Sequence, residues 1–483
     1  MKIHLLTSIL LVSGIANTFA THCGAADITF RVIGNYKIEA NVTVYSKIEG
    51  ISALADNDSV EINWGDGVSG WAIRTNGTDN NANGYPDGEL IDSIFKKSIY
   101  SCRHTFPGSP PPPVNFYLIS FRDLTRMDGI ININNGNSAE VPFFIEDTIF
   151  SWALSGRYNS SPAFLTPGVC YANLNDTLNF NLLAYDADGD SLSFELIPSL
   201  QSNGTQPPLY TRPDEYCQAS GFPLNAFQLN PETGQVLWTT PCRVGLYSVL
   251  LLVKEYRCGV LLSTVMNDWQ VIVLNTPNDP PAVSTISDIT INTGDSIGFT
   301  VSATDINSTQ SVSLQLQGGA FLAAQNAPMF QSTQGNPAMG TFTWQTGLQS
   351  ANHNPYIFSV IARDNYEQPG NPSTPIPLSS YQTFRIWVTD NSPCNFSYTG
   401  IDDLELSSGI TIYPNPANNQ LHVNTNGITV KQIAIYNTTG QLVAMQNLPA
   451  NSTIDISQLN SGVYFVKAEL AGNNTITQRF VKM

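Results

Sequence analysis

Two stretches of this 483-residue chain carry oxygen-bearing side chains at spacings that suit a hard divalent cation. In the first, Asp79, Asn81, Asn83 and Asp87 fall at positions 1, 3, 5 and 9 of a loop whose sixth residue is Gly84. That spacing lets the oxygens converge on one ion while glycine permits the sharp turn. Asn stands where Asp would be stronger at two positions, and Leu90 occupies position 12, where a bidentate glutamate would complete the set. Weak calcium binding and a plain Asn/Gly surface loop both suit the stretch. In the second, Asp186, Asp188 and Asp190 place three carboxylates within five residues. They repel one another unless solvated or bridged by a cation, so a calcium site and a solvated turn are the two readings.

Catalytic patterns are missing. The histidines beyond the leader, His22, His104, His353 and His422, are scattered, and neither HExxH nor GxSxG occurs. Paired carboxylates for glycoside hydrolysis would be defined by a distance in space, which a sequence does not give. The expectation is a protein that is not an enzyme.

The elements that must position these residues read as short strands. Ile28–Val32 and Ala40–Val44 alternate apolar and polar, and Glu61-Ile62-Asn63-Trp64 runs into a Gly65-Asp66-Gly67 turn. Leu178–Leu183 precedes the Asp186–Asp190 turn, and Ile297–Ala303 precedes Asp305. These last two units repeat one order: Ala-x-Asp (Asp186, Asp305), a later tryptophan (Trp238, Trp344), then an acid eight residues after a tyrosine (Glu255, Asp364). Strand-embedded aromatics of this kind pack inward. The fold class expected is all-β, a tandem array of sandwiches, elongated by the Pro-stiffened linkers Asn275–Pro281 and Asn391–Cys394. Helical periodicity is hard to find.

Composition bounds the setting. Residues 1–20 read as a secretory signal peptide, with Lys2, an apolar Leu5–Ile15 and small residues near Ala20. No later run approaches the ~20 apolar residues a membrane helix needs, so no transmembrane segment is expected after the leader. The formal net charge is −17. The last 75 residues carry four basic residues against two acidic, so the rest is more negative still. Such a surface repels phosphate backbones, and no nucleic-acid partner is expected. Seven cysteines suit an oxidising exterior, and one must stay outside any internal pairing. Cys242 and Cys258 flank one strand at ~3.3 Å per residue, beyond disulfide reach, which points Cys242 towards Cys217.

Several of these pieces resemble known modules. Tyr413-Pro414-Asn415-Pro416, Ile435-Tyr436-Asn437 with Gly440, Ile454-Asp455-Ile456 with Leu459, Gly462 and Tyr464, and the ending Arg479-Phe480-Val481-Lys482 together resemble the type IX secretion sorting domain of Bacteroidota. The resemblance implies handling by the type IX machinery after Sec export, and a protein released or held at the outer surface, with the tail typically removed. The Trp64–Gly67 turn with His104-Thr105-Phe106 resembles the polycystic-kidney-disease (PKD) type of sandwich, with Asp66 expected as a turn residue and His104 as a packing or hydrogen-bonding residue. The Asp79–Asp87 loop is similar to thrombospondin type 3 and EF-hand-type calcium loops. Residues around Asp186–Asp190 resemble bacterial cadherin-like or immunoglobulin-like domains.

The organisation expected is therefore a leader at 1–20, a PKD-like sandwich at 21–151, cadherin/immunoglobulin-like sandwiches at 152–275 and 276–389, a linker at 390–408 and the sorting domain at 409–483. Three roles fit: an adhesin that binds a surface glycan or protein, a structural spacer, or a hydrolase with an unrecognised site. The adhesin comes first.

Overall fold

The computed structural model describes residues 22–48, 57–110, 113–155, 159–219, 226–323, 326–352, 354–367, 376–389, 411–424, 430–437, 441–446, 452–470 and 475–483. The expected leader, the 390–408 linker and Cys394 lie outside them. Among the described residues strands dominate, with single-turn helices and one seven-residue helix, Pro213–Ala219. The all-β expectation holds.

Alternation drives the first module. Along Ser59–Asn63 and Phe116–Asp123 every second residue is buried, which sends Ile62, Ile119 and Phe121 into one core. Seven strands, Ala25–Gly34, Lys37–Lys47, Phe95–Thr105, Ser69–Arg74, Ser59–Asn63, Phe116–Asp123 and Phe143–Phe150, pair in that spatial order. The path is closed by a strand from beyond the expected boundary. Val260–Leu274 pairs with Ala25–Gly34 through Asn267↔Asp27 and with Phe143–Phe150 through Thr148↔Thr264.

The same strand organises the second module. It pairs along its length with Gly245–Arg257, which pairs with Ser191–Ile197, and its end runs parallel to Val169–Asn173. A second layer, Leu178–Asn181, Gln235–Trp238 and Phe227–Leu229, covers it. Phe180 stacks on Trp269 at 4.8 Å between ring centres, and Trp238 meets Tyr247 edge-on at 4.9 Å. Burying a side chain like Phe180 contributes roughly 1.5–3 kcal/mol. Cys217 and Cys242 form the expected disulfide. Cys258 is also disulfide-bonded, while Cys23, Cys102 and Cys170 are free thiols.

The third module is a sandwich of two four-stranded sheets around Phe342, Trp344, Phe358 and Phe384. It does not simply follow the second end to end. Its Ser379–Thr389 strand lies against Leu178–Asn181: the Asn181 amide donates to Thr383 Oγ1 at 3.1 Å, and Phe180 meets Tyr381 edge-on at 5.1 Å. Gly319 approaches Tyr185 so closely that a Cβ there would meet the ring at 2.5 Å. Contact along their sides thus corrects the expectation that the linker holds these two modules apart.

The tail is a small sandwich of three and four strands. Leu421, Val423, Ile433, Ile435, Ile454 and Ile456, the alternating positions of its sequence, are all buried in its core. It touches the first module where Arg479 pairs with Glu146 at 2.8 Å and Phe465 packs 5.2 Å from Phe116.

Candidate functional site

The Asp79–Asp87 loop brings its four predicted ligands together. Asp79 accepts the backbone N–H groups of Asn83 (3.2 Å) and Gly84 (2.9 Å), and Asn81 Oδ1 accepts that of Asn83 at 3.0 Å. Asn83 Oδ1 accepts from Tyr85 at 2.9 Å, while Asp87 takes the Asn80 N–H at 2.7 Å and the Asn81 amide at 2.8 Å. Gly84, at φ 92°, supplies the left-handed residue this turn requires. The loop is anchored by Arg74, 2% exposed, which donates to Asp58 Oδ1 at 2.9 Å and to the Pro86 carbonyl. Asp58 in turn accepts the Asn83 amide at 3.0 Å. Every predicted ligand oxygen here already serves as an acceptor within the loop.

The second predicted set is tighter. Asp186, Asp188 and Asp190 each present an oxygen, and these lie within 4.8 Å of one another. Asp186 Oδ1 accepts the backbone N–H groups of Asp188 and Asp190, both at 2.9 Å, so the turn is folded around that carboxylate. Gly189, at φ 81°, lets the chain double back. Asp186 Oδ2 is buried and has no partner.

Two residues the sequence reading did not place complete this cradle. Arg257 donates from Nε to Asp190 Oδ1 at 2.7 Å and from Nη2 to Asn159 Oδ1 at 2.8 Å, and stands 4.0 Å from Asp188. Asn159 then donates its amide to Glu255 Oε1 at 2.9 Å, and Ser263 donates to the other oxygen. Burial, reinforced by the charges of Asp190 and Asp188, pushes the Asp186 carboxyl up to about 7. Burial, with the Asp186 charge added, raises Glu255 well above the usual range, and burial raises Asp188. A positive group suits such a site. The orphan Asp186 Oδ2 fits a cation, yet a guanidinium already stands among these carboxylates.

The other pair singled out in the sequence also meets. Asp66 Oδ1 accepts the Val68 N–H at 3.1 Å, its Oδ2 lies 2.7 Å from His104 Nε2, and the imidazole stacks on Trp64 at 4.7 Å. Turn and packing roles account for both residues.

A cleft of about 390 Å³ opens where the Asp186–Asp190 turn faces the third module. Tyr356 and Trp387 offer aromatic surface, with Asp188, Asn352, Asn354 and Arg385 beside them. Arg385 lies over the Trp387 ring at 4.8 Å and bridges the modules through Glu232. Asn354 donates to the Gly189 carbonyl at 2.8 Å, tying the opposite wall to the acidic turn.

Residues 411–483 match the family model of the secretion system C-terminal sorting domain. The molecule is therefore a set of β modules joined to a sorting tail. That tail directs export by type IX secretion to the cell surface or the extracellular space.

Among solved structures, the zebrafish RET cadherin-like domains 1 to 4 align with 65% of this chain and 70% of theirs, at 10% identity and a TM-score of 0.15. Tandem Ig repeats of Dlar align with 47% of this chain and 97% of theirs, at 11% identity and a TM-score of 0.20. A three-Ig fragment of titin covers 67% and 98%, at 10% and 0.15. Among curated proteins, none matches this sequence. No helix of the described residues is long and apolar enough to cross a membrane.

Proposed function

We propose that this chain is a non-catalytic binding protein, an adhesin, which takes its ligand in the cleft between the second and third modules. The observation that carries this reading is the composition of that cleft: three aromatic side chains, Tyr185, Tyr356 and Trp387, flanked by carboxylate, carboxamide and guanidinium groups. Apolar sugar faces stack on aromatic rings while acids and amides take hydroxyls, so a surface glycan is favoured over a protein ligand. Export by a sorting tail delivers such a cleft to where glycans are met.

The test is an array of bacterial and host glycans probed with the processed protein and with Trp387→Ala and Asn354→Ala variants. Binding by the parent, weakened tenfold or more in either variant, supports the reading. Absence of binding together with disturbed surface architecture in a deletion strain would favour a spacer. Turnover of any glycan in the panel would favour a hydrolase.

A further inference from the structure

Trp64, Trp238, Trp269 and Trp344 are all buried, as so large an apolar ring ordinarily is. Trp71 is 65% exposed. Strand alternation puts it there. Along Ser69–Arg74 the buried Ala72 and Arg74 turn inward, while Ser69, Trp71 and Ile73 turn out, and Ile73 is 46% exposed as well.

The pairing registers carry this outer face across five strands of the first module. Glu61 stands opposite Trp71, Arg103 opposite Glu39, and Glu39 opposite Arg31. Ile73 stands opposite Ser101, and the same antiparallel register sets Trp71 level with Arg103. Glu61, Trp71, Arg103, Glu39 and Arg31 therefore form one line across the sheet, about 19 Å long at the usual strand spacing. A second line of mostly small polar side chains runs beside it: Ser59, Ile73, Ser101, Asn41 and Thr29.

Charge on this face runs against that of the chain. Lysine and arginine number 21 against 38 aspartates and glutamates overall, whereas here Arg31, Arg103 and Lys37 outnumber Glu39 and Glu61. Lys37 shares the face because it lies two residues before Glu39 on one strand. Glu39 accepts from Arg31 Nη2 at 2.7 Å and from Arg103 Nε at 2.8 Å, yet the two arginine side chains stay 63% and 64% exposed. A guanidinium carries five N–H donors, so each has donors to spare. Glu61 accepts a hydrogen bond from Ser69.

We propose that this face binds an anionic polysaccharide, a chain of uronic acid sugars whose apolar ring faces stack on Trp71 and whose carboxylates pair with Arg103 and Arg31. A uronate is favoured over a sulfate ester because the face already shows what its guanidiniums take, the Glu39 carboxylate held between them. A neutral glycan leaves both arginines unused, and a second copy of this chain is opposed by the shared net charge of −17. The site stands apart from the cleft beside Asp188 and Glu232, whose acids repel such a ligand, and it does not rest on the reading of that cleft.

Isothermal titration calorimetry of the full chain with a galacturonic acid hexamer, in calcium-free buffer, tests the assignment. The parent should bind, and Trp71→Ala should weaken binding tenfold or more. Arg103→Gln and Arg31→Gln should each weaken it several-fold and reduce its sensitivity to salt, since salt screens exposed charges. Trp387→Ala should bind as the parent does. Circular dichroism identifies any variant that fails to fold, and the remaining two then carry the comparison. No binding by the parent, unchanged binding by Trp71→Ala, or loss in Trp387→Ala would overturn the proposal. So would equal or tighter binding of a sulfated galactan hexamer or of maltohexaose, or a dimer in sedimentation that Trp71→Ala abolishes.

Discussion

The turns around Asp186 and Asp305 share part of a backbone plan and differ in how their acids are held: a guanidinium serves Asp190 in the second module, while the backbone N–H groups of Tyr366 and Leu378 serve Asp364 in the third. Asp186 shares its surroundings with Asp188, Asp190, Glu255 and Arg257, whereas Asp305 faces Asp279 and Asp364 with Tyr366 where the arginine would be. The more acidic stretch is thus the better compensated one. Counting carboxylates along a sequence measures the demand for positive charge, and says nothing about whether the fold meets it internally.

The largest effect that can break this contrast is expected from Arg257→Met. Removing one member of a mostly buried pair leaves Asp190, whose side chain is 4% exposed, without its partner. The cost without metal should be about 3 kcal/mol. Calcium should restore much of it, measured by denaturant unfolding with and without the ion. If calcium restores nothing, the guanidinium does not stand in for a cation.

Asp305→Asn comes next. A ligand bound only by the folded state contributes about 2.7 kcal/mol at one hundred times its Kd. Asp305→Asn, which replaces a buried oxygen that has no donor, should therefore leave any increment gained on adding calcium unchanged. A somewhat smaller loss, about 2 kcal/mol, is expected for Asn159→Ala and Asn278→Ala, each of which deletes a buried amide that orients both an acid and its neighbour.

The smallest effect lies in the pH slope. Asp186 is pushed up to about 7, and Asp305, Asp364 and Glu255 are raised too, burial being the first cause in each. A carboxyl whose folded value lies above its unfolded value of ~4 binds more proton when folded between the two. Stability without calcium should therefore fall as pH rises from about 4 to 7. Asp186→Asn and Asp305→Asn should each flatten that fall, the former more. Stability that climbs across this window would contradict the burial of these acids.

Much of the architecture was legible. Alternation at Leu421/Val423 and Ile433/Ile435 gave the tail, and the repeated Ala-x-Asp, Trp and acid order marked the second and third modules as kin. The shared strand was not, because Ser263, Asn267, Asp268 and Gln270 read as polar while the structure buries all four. Asp268 tolerates that position through Arg126 at 2.8 Å and Ser248 at 2.6 Å, partners more than a dozen residues away in sequence. That strand closes the first module and also runs through the second, so the cut at 151/152 crosses a continuous sheet.

The sites divide along the same line. Asp186, Asp188 and Asp190 announced themselves because they fall within five residues, and the structure does gather them. Asp279, Asp305 and Asp364 come from a linker, a turn and a strand end, so no window of sequence contains them together. The repeat had paired Asp305 with Asp186 and Asp364 with Glu255. Continuing that alignment two residues to Arg257 and Tyr366 would have found the difference in how the acids are held.

Diffraction from crystals of the full chain grown with manganese in place of calcium tests the central claim most directly, because the ion's anomalous signal marks its position. No peak among Asp186, Asp188 and Asp190, with the Arg257 guanidinium seated on Asp190, is the predicted result. A peak among Asp186, Asp188 and Asp190 with Arg257 displaced would contradict it.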